Sequence, residues 1–248
     1  MKKMIASALK YLGLFNQIKK VKLWSEKRTR GMMKHYSNFI SKDSLVFDIG
    51  ANTGNRTEVF LGLRARVIAV EPQPQCVELL RKQFHDNNIE IVQKAVSEVE
   101  GKAKLSLCDD STVLSTMSSE WKNSDRFSAN FTWSKEIEVE TTTLDRLIHE
   151  YGTPIFCKID VEGFEFEVIS GLTKKIPVIS FEFTEEFIEK AEKIIEKLEK
   201  IGNCSYNYSL SENHHLENNE WVNRERLMEE LNKKKNGDLW GDIYVRTV

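Results

Sequence analysis

The sequence predicts an α/β protein built on a mostly parallel sheet, and three observations lead there. From about residue 45 onward, short β-branched apolar runs alternate with longer segments of helical periodicity. The first run, Leu45 to Ile49, passes directly into a glycine turn within the stretch LVFDIGANTGNRT. The second, Val67 to Val70, ends on an acid, Glu71, about 20 residues past that turn.

Taken in order, Leu45 to Ile49 is the first strand, Gly54 to Leu63 the crossover helix and Val67 to Val70 the second strand. Pro74 to Phe84 is the next helix, with Cys76, Val77, Leu79, Leu80 and Phe84 as its core face, and Ile89 to Val96 is the third strand, completing a βαβαβ half. Gly101 to Leu107 alternates through Ala103, Leu105 and Leu107, and Ile137 to Thr143 through Ile137, Val139 and Thr141, as half-exposed strands do. Between them, residues 108–134 are rich in Ser, Thr, Asn and Asp with scattered aromatics, too long for an idle connection and expected to be a lid, a binding loop or an insertion on the substrate side. The second half continues with a helix at Leu144 to Tyr151, a strand at Ile155 to Ile159, a helix at Phe164 to Leu172 and a strand at Val178 to Phe183. A long helix spans Glu185 to Ile201, with Phe187, Ala191, Ile194, Ile195 and Leu198 as its buried stripe and Gly202 as its stop. Tyr206 to Leu210 and Ile243 to Val248 are closing strands, separated by a polar segment with a helix near Arg224 to Lys234.

With 248 residues, 40% apolar and 30% charged, the chain has the balance of a globular protein, read as one catalytic domain over residues 45–248 behind an N-terminal extension, residues 1–44. The net charge of −2 argues against a general nucleic-acid-binding surface, so no nucleic-acid partner is expected. Basic excess is confined to residues 1–30, where nine Lys and Arg face the single acid Glu26. Ile5, Leu9, Leu12, Phe15, Ile18 and Val21 recur at helical spacing there, predicting a helix packed on the core with a solvated basic face. Contact with an anionic membrane surface or an acidic partner is the other reading. Lys10 interrupts the apolar run, which speaks against a signal peptide, and no stretch reaches the roughly 20 apolar residues that span a bilayer. Cys76, Cys108, Cys157 and Cys204 are widely spaced with no CxxC pair, which speaks against a zinc site or disulfide framework and fits a reducing cytoplasm. The sequon at Asn130 would matter only in a secretory compartment.

The glycine turn carries the first chemistry. In an open parallel sheet a ligand sits at the carboxyl ends of the strands, which is where Asp48 to Gly54 lies. Gly50 and Gly54 let the backbone turn and approach a ligand, and the helix that follows favours an anionic group at its N-terminus. Glu71 is placed to accept hydrogen bonds from both hydroxyls of a ribose. A dinucleotide turn would carry a second glycine where Asn52 stands, so a nucleoside cofactor without a pyrophosphate fits better, and Asn tolerates the left-handed turn. S-adenosylmethionine meets that requirement.

Several motifs then converge. DIGANTG (Asp48 to Gly54), VEPQP (Val70 to Pro74), TTTLD (Thr141 to Asp145), KIDVEGFEFEVISG (Lys158 to Gly171) and GDIYVR (Gly241 to Arg246) together resemble the FkbM family of S-adenosylmethionine-dependent methyltransferases, from about Leu45 to the C-terminus. The resemblance implies a Rossmann-like class I methyltransferase fold, a doubly wound, seven-stranded sheet with one antiparallel strand near the C-terminus. It also implies methyl transfer to a hydroxyl of a sugar or secondary metabolite. Carried over by motif, Gly50, Asn52 and Gly54 would wrap the methionine part, Glu71 would hold the ribose, and Ala95 to Ser97 would lie by the adenine.

Asp160, Glu162 and Glu165 cluster at the end of a strand on the same sheet edge, and Glu182 ends the neighbouring strand. An alcohol attacking a sulfonium-bound methyl needs alignment and a proton acceptor, and a carboxylate raised by burial and like charge can take that proton. Glu162, Asp160 and Glu182 are the candidates. Asp160 could instead hold the cofactor's ammonium, Glu162 could cap a helix opening at Gly163, and Glu165 is expected to face structure or solvent. The acids could alternatively hold Mg2+ to orient a diol. His35 with Tyr36 is read as a packed pair before an acceptor-pocket pair, His214 and His215 point different ways, and Trp121, Phe127, Phe131 and Trp133 could form an apolar or sugar-stacking lid.

The expectation is therefore an O-methyltransferase using S-adenosylmethionine on a sugar, glycan or related small molecule. Two rivals stand beside it: a nicotinamide-dependent reductase, and a non-catalytic methyltransferase-like scaffold binding through its basic N-terminal helix.

Overall fold

A computed structural model describes residues 28–85, 88–109, 111–124, 128 and 131–248. Seven strands form one sheet in the order β3-β2-β1-β7-β8-β10-β9. They are β1 (Leu45–Ile49), β2 (Arg66–Val70), β3 (Ile89–Val92), β7 (Phe156–Ile159), β8 (Val178–Thr184), β9 (Cys204–Leu210) and β10 (Trp240–Thr247). Only β10 runs against its neighbours β8 and β9. This is the doubly wound α/β sheet expected, and the order reverses between β1 and β7, where a crevice opens above the strand ends.

Strand alternation divides the core. Phe47, Ile49, Ile68, Val70, Cys157, Ile159, Phe181 and Phe183 face the helices Leu144–Tyr151, Glu165–Ser170, Ile188–Glu199 and Arg224–Lys234. Val46, Val67, Ala69, Phe156 and Tyr244 face the other layer, made by Asn55–Gly62, Pro74–Gln83 and a helix over residues 28–36. Met32 and Tyr36 of that last helix, with Phe39 and Ile40 after it, are buried in the second layer, each full burial being worth about 1.5–3 kcal/mol. The apolar positions Ile5 to Val21 of the basic extension lie outside the described residues, as do Phe127 and Asn130.

One expected strand divides. Ile89 to Val96 separates into β3, at the edge of the main sheet, and β4 (Ala95–Val96). The amide of Lys94 bonds back to the carbonyl of Val92 at 3.1 Å, turning the chain out of the sheet. β4 then pairs in parallel with β6 (Lys135–Thr142), which also pairs antiparallel with β5 (Gly101–Leu107) in a second, three-stranded sheet. Four helices are shorter than expected: Gly54 to Leu63 becomes Asn55–Gly62, and Pro74 to Phe84 becomes Pro74–Gln83. Glu185 to Ile201 begins as a 3-10 turn over Glu185–Phe187, and Phe164 to Leu172 shortens to Glu165–Ser170.

Candidate active site

The site is built where β1, β2 and β7 end together. Gly50 has φ 82, and a Cβ there would lie 1.9 Å from the carbonyl oxygen of Asp160, so the turns after β1 and β7 touch only because this side chain is missing. Asn52 is itself left-handed (φ 47), and its backbone N–H donates to Oε2 of Glu71 at 2.9 Å. The N–H of Gln73 donates to the other oxygen, Oε1, at 2.8 Å. The carboxylate of Glu71 is thus fixed across the cavity wall, 2% exposed, and burial pushes it up to about 7 against the pull of those two amides.

A cavity of about 1050 Å3, counted to its open mouth, runs from Glu71 to the acids after β7. Asp48, Gly50, Asn52, Glu71, Ala95, Asp160 and Glu162 line it. The loop between β5 and β6 covers it: Val113, Ser115 and Met117 contribute to the wall, the Thr112 hydroxyl donates to Oδ1 of Asn52 at 3.3 Å, and Nε2 of Gln73 donates to the Thr112 carbonyl at 2.9 Å. Asp48 is buried below, accepting from the Thr57 hydroxyl at 2.5 Å, and burial raises it to about 6.

Three expected positions stand apart from this wall. Gly54 (φ 90) turns toward the helix Pro74–Gln83, where a Cβ would meet Phe84 at 2.5 Å and Leu80 at 2.9 Å, so it is a packing glycine. Ser97 is buried beyond the cavity, its amide bonded to the carbonyl of Thr142 at 2.8 Å. Glu182 opens into an adjoining smaller cavity with Trp121, Gly163, Phe166, Thr184 and Phe187.

Asp160, Glu162 and Glu182 nevertheless come together, with one carboxylate oxygen from each lying within 4.8 Å of the others. Burial, joined by repulsion from the neighbouring acids, holds Glu162 and Glu182 well above the usual carboxylate range. Glu162 adopts φ 54 and does not cap a helix, because the helix begins at Glu165. It is Glu165 that serves the turn, its Oε1 accepting from the amides of Val161 and Gly163 at 3.2 Å each, while burial lifts it to about 7. The carbonyl of Glu162 accepts from the Thr116 hydroxyl at 2.6 Å, tying the covering loop to the acid turn.

Sequence reasoning overlooked the ion pairs beneath these acids. Lys158, 1% exposed, reaches Oδ2 of Asp160 at 3.2 Å and Oδ1 of Asp242 at 2.9 Å. Asp242 stands opposite Glu182 across the β8–β10 pairing. The available signal was a lysine inside the apolar strand FCKI and an aspartate inside WGDIYVRT, since a charge in a buried strand requires a partner. Arg56 and Arg28, also without an assigned role, line the cavity together with the acids. His35 is packed away from the cavity: its Nε2 bonds Tyr244 Oη at 2.8 Å, and burial lowers it to about 4. Trp121 packs on Trp133 edge to face, with ring centroids 6.2 Å apart.

The model of the FkbM methyltransferase domain matches residues 48–210, well over half of the chain. A curated relative, ribosomal RNA small subunit methyltransferase A of Mycoplasma capricolum subsp. capricolum, is 32% identical over 69 residues, 28% of this chain. The chain spans about a quarter of that relative's length, the aligned share being 26%. Among solved structures, precorrin-6y C5,15-methyltransferase from Geobacter metallireducens GS-15 is similar with TM-score 0.42 and 14% identity, over 90% of this chain and 88% of that one. A methyltransferase from Streptococcus mutans in complex with SAH gives TM-score 0.41 and 11% identity, over 87% and 95%. The domain match spans the glycine turn, Glu71 and the acids after β7 and on β8, and by it the chain belongs to the FkbM methyltransferase family.

Proposed function

We propose that this protein transfers a methyl group from S-adenosylmethionine to a hydroxyl of a sugar, glycan or related small molecule. The observation that carries the proposal is Glu71, whose two oxygens are aimed by the amides of Asn52 and Gln73 in the same cavity that ends at Asp160 and Glu162. A carboxylate held this way keeps lone pairs for two vicinal hydroxyls of a ribose. The Asn52 side chain, engaged by Thr112, occupies the turn where a dinucleotide fold needs bare backbone, which disfavours the nicotinamide rival.

When bound, S-adenosylmethionine supplies an activated methyl, whose bond to sulfur breaks as its bond to the acceptor oxygen forms. The chain's own residues have two tasks, alignment and proton removal. Glu162, whose hold on a proton is strengthened by burial and by the neighbouring acids, accepts the hydroxyl proton in its ionised form as the methyl is transferred, and Glu182 lies close enough to polarise it. Glu162 faces the main cavity and is assigned as base, while Asp160 is oriented by Lys158 toward the cofactor's tail.

The test is transfer of labelled methyl to a panel of glycans and hydroxylated metabolites, with and without Mg2+. Label in a neutral sugar supports the proposal, and label only in RNA overturns the acceptor class. Strict dependence on Mg2+ would reassign Asp160, Glu162 and Glu182 as cation ligands, a second reading favoured by their 4.8 Å clustering. Among the described residues no helix is long and apolar enough to cross a membrane. A cytoplasmic site of action and peripheral membrane contact through the basic N-terminal segment, residues 1–30, are further parts of the proposal, tested by fractionation and vesicle sedimentation.

A further inference from the structure

The cavity is acidic at Asp160 and Glu162, yet its lining also carries Arg28 and Arg56. Arg56 sits in the first turn after the glycine loop, with its side chain 18% exposed. A guanidinium offers five N–H donors in a planar fork. Those of Arg56 are only partly used: one nitrogen donates to the weakly accepting thioether of Met32 at 3.1 Å, another to the Glu212 carboxylate at 3.4 Å, and Nε, shielded from solvent, makes no hydrogen bond. Glu212, with 52% of its side chain accessible, lines the same cavity and reaches Arg56 at its solvent-exposed rim. From the packed elements, Arg56 is faced by Tyr36, Glu212, Asp242 and Asp160, which together keep it charged despite its burial. A retained positive charge with unused donors on a cavity wall is suited to a carboxylate, which a guanidinium binds through two parallel bonds.

We propose that Arg56 receives a carboxylate inside this cavity, and that it is the carboxylate of the cofactor's amino-acid tail. The inference rests on the S-adenosylmethionine reading. An amino-acid tail carries one ammonium and one carboxylate, so a zwitterion needs an acid and a base facing each other. Asp160 and Arg56, which line the same cavity and interact electrostatically, are such a pair, and Glu71 lines that cavity for the ribose. The same chemistry could be presented by an acidic acceptor, such as a uronate, and the experiment separates the two sources.

Calorimetry would compare S-adenosylhomocysteine with its decarboxylated analogue, which keeps the ammonium, on the wild-type chain and on the variants Arg56→Gln and Arg56→Lys. The expected result is a loss of at least tenfold in affinity for S-adenosylhomocysteine in Arg56→Gln, a smaller loss in Arg56→Lys, and less than a twofold change for the decarboxylated analogue in both. Equal losses for the two ligands in either variant would overturn the proposal, leaving Arg56 as a tie between Met32 and Glu212. No change for either ligand, together with no change in glucuronate binding to the S-adenosylhomocysteine-loaded protein, would overturn it as well. Unchanged S-adenosylhomocysteine affinity with lost glucuronate binding, and glucose as the neutral control, would keep the carboxylate site and move it to the acceptor. Failure of the wild-type chain to bind either nucleoside would instead defeat the cofactor reading itself.

Discussion

Replacing Lys158 by Met removes the positive charge that joins β7 to β10 and leaves two acids without it. Asp242, 14% exposed, and Asp160, 33% exposed, both face Lys158 within 3.2 Å. Burial disfavours a charged Asp242, but Lys158 and Arg56 outweigh it and hold its carboxyl below the ordinary range. Burial likewise opposes a charged Lys158, and Asp160 and Asp242 overcome this to raise it well above its ordinary value. Removing one partner of such a buried pair costs about 3–5 kcal/mol, because the other charge stays desolvated. At about 2–4 °C per kcal/mol for a chain of this size, the melting temperature should fall by roughly 6–20 °C. The double variant Lys158→Met with Asp242→Leu should recover part of that loss, since apolar replacement of a buried pair is often neutral, while Asp160, 33% exposed, is left to solvent. Urea unfolding of the single and double variants measures both. A single-variant loss under about 1 kcal/mol, or a double variant no more stable than the single, would refute the assignment of a buried, energetically coupled pair. The sign with pH follows from the depressed Asp242: its contribution is complete above the unfolded carboxyl value and is lost as pH falls through the lower folded one.

Other perturbations bear on the site. Gly50→Ala puts a Cβ 1.9 Å from the Asp160 carbonyl and should part the turns after β1 and β7, abolishing cofactor binding by calorimetry while far-UV dichroism stays close to wild type. Because burial raises Glu71 to about 7, its ribose-accepting form is lost as pH falls through that value, so S-adenosylhomocysteine affinity should drop from pH 8 to pH 6 in the wild type and stay flat, and weak, in Glu71→Gln. The elevated Glu71 and Glu165 have the opposite consequence for stability: their folded-state proton favours folding below about 4.5, and that benefit is lost as pH rises through about 7, by up to about 3 kcal/mol per group at 1.36 kcal/mol per unit. Thermal melts of the ligand-free protein should therefore fall between pH 5.5 and pH 8, and a rising trend there contradicts the assignment. Glu162→Gln should leave S-adenosylhomocysteine affinity within about twofold and slow labelled-methyl transfer by about 100-fold or more, the range expected for a lost general base.

The parts of the fold legible in the sequence are those decided locally. The run Leu45 to Ile49, the glycine turn and the acid after Val70 declare themselves through composition and spacing, and Asp48, Gly50, Asn52 and Glu71 do line one cavity. The division of Ile89 to Val96 was hidden because nothing local distinguishes Val92 from Ala95; pairing of Ala95 with Thr141, far along the chain, decides it. Gly54 looked like a ligand glycine, but Leu80 and Phe84 from the next helix are what require it. The acid that serves the turn after β7 is Glu165 rather than Glu162, because the positive φ at Glu162 and Gly163 delays the helix. Lys158 and Asp242 lie 84 residues apart, and only the strand order that sets β10 beside β8 brings their charges together. The loop over residues 108–134 advertised its length and polarity, whereas its bonds to Asn52 and Glu162 depend on the completed sheet.

The most direct measurement of the central claim is calorimetric titration of S-adenosylhomocysteine, with NADH in parallel, into the wild-type chain and Glu71→Ala. Binding of S-adenosylhomocysteine but not NADH, weakened at least tenfold by Glu71→Ala, is the predicted result. Absence of S-adenosylhomocysteine binding to the folded wild-type chain, or equal affinity in Glu71→Ala, contradicts it.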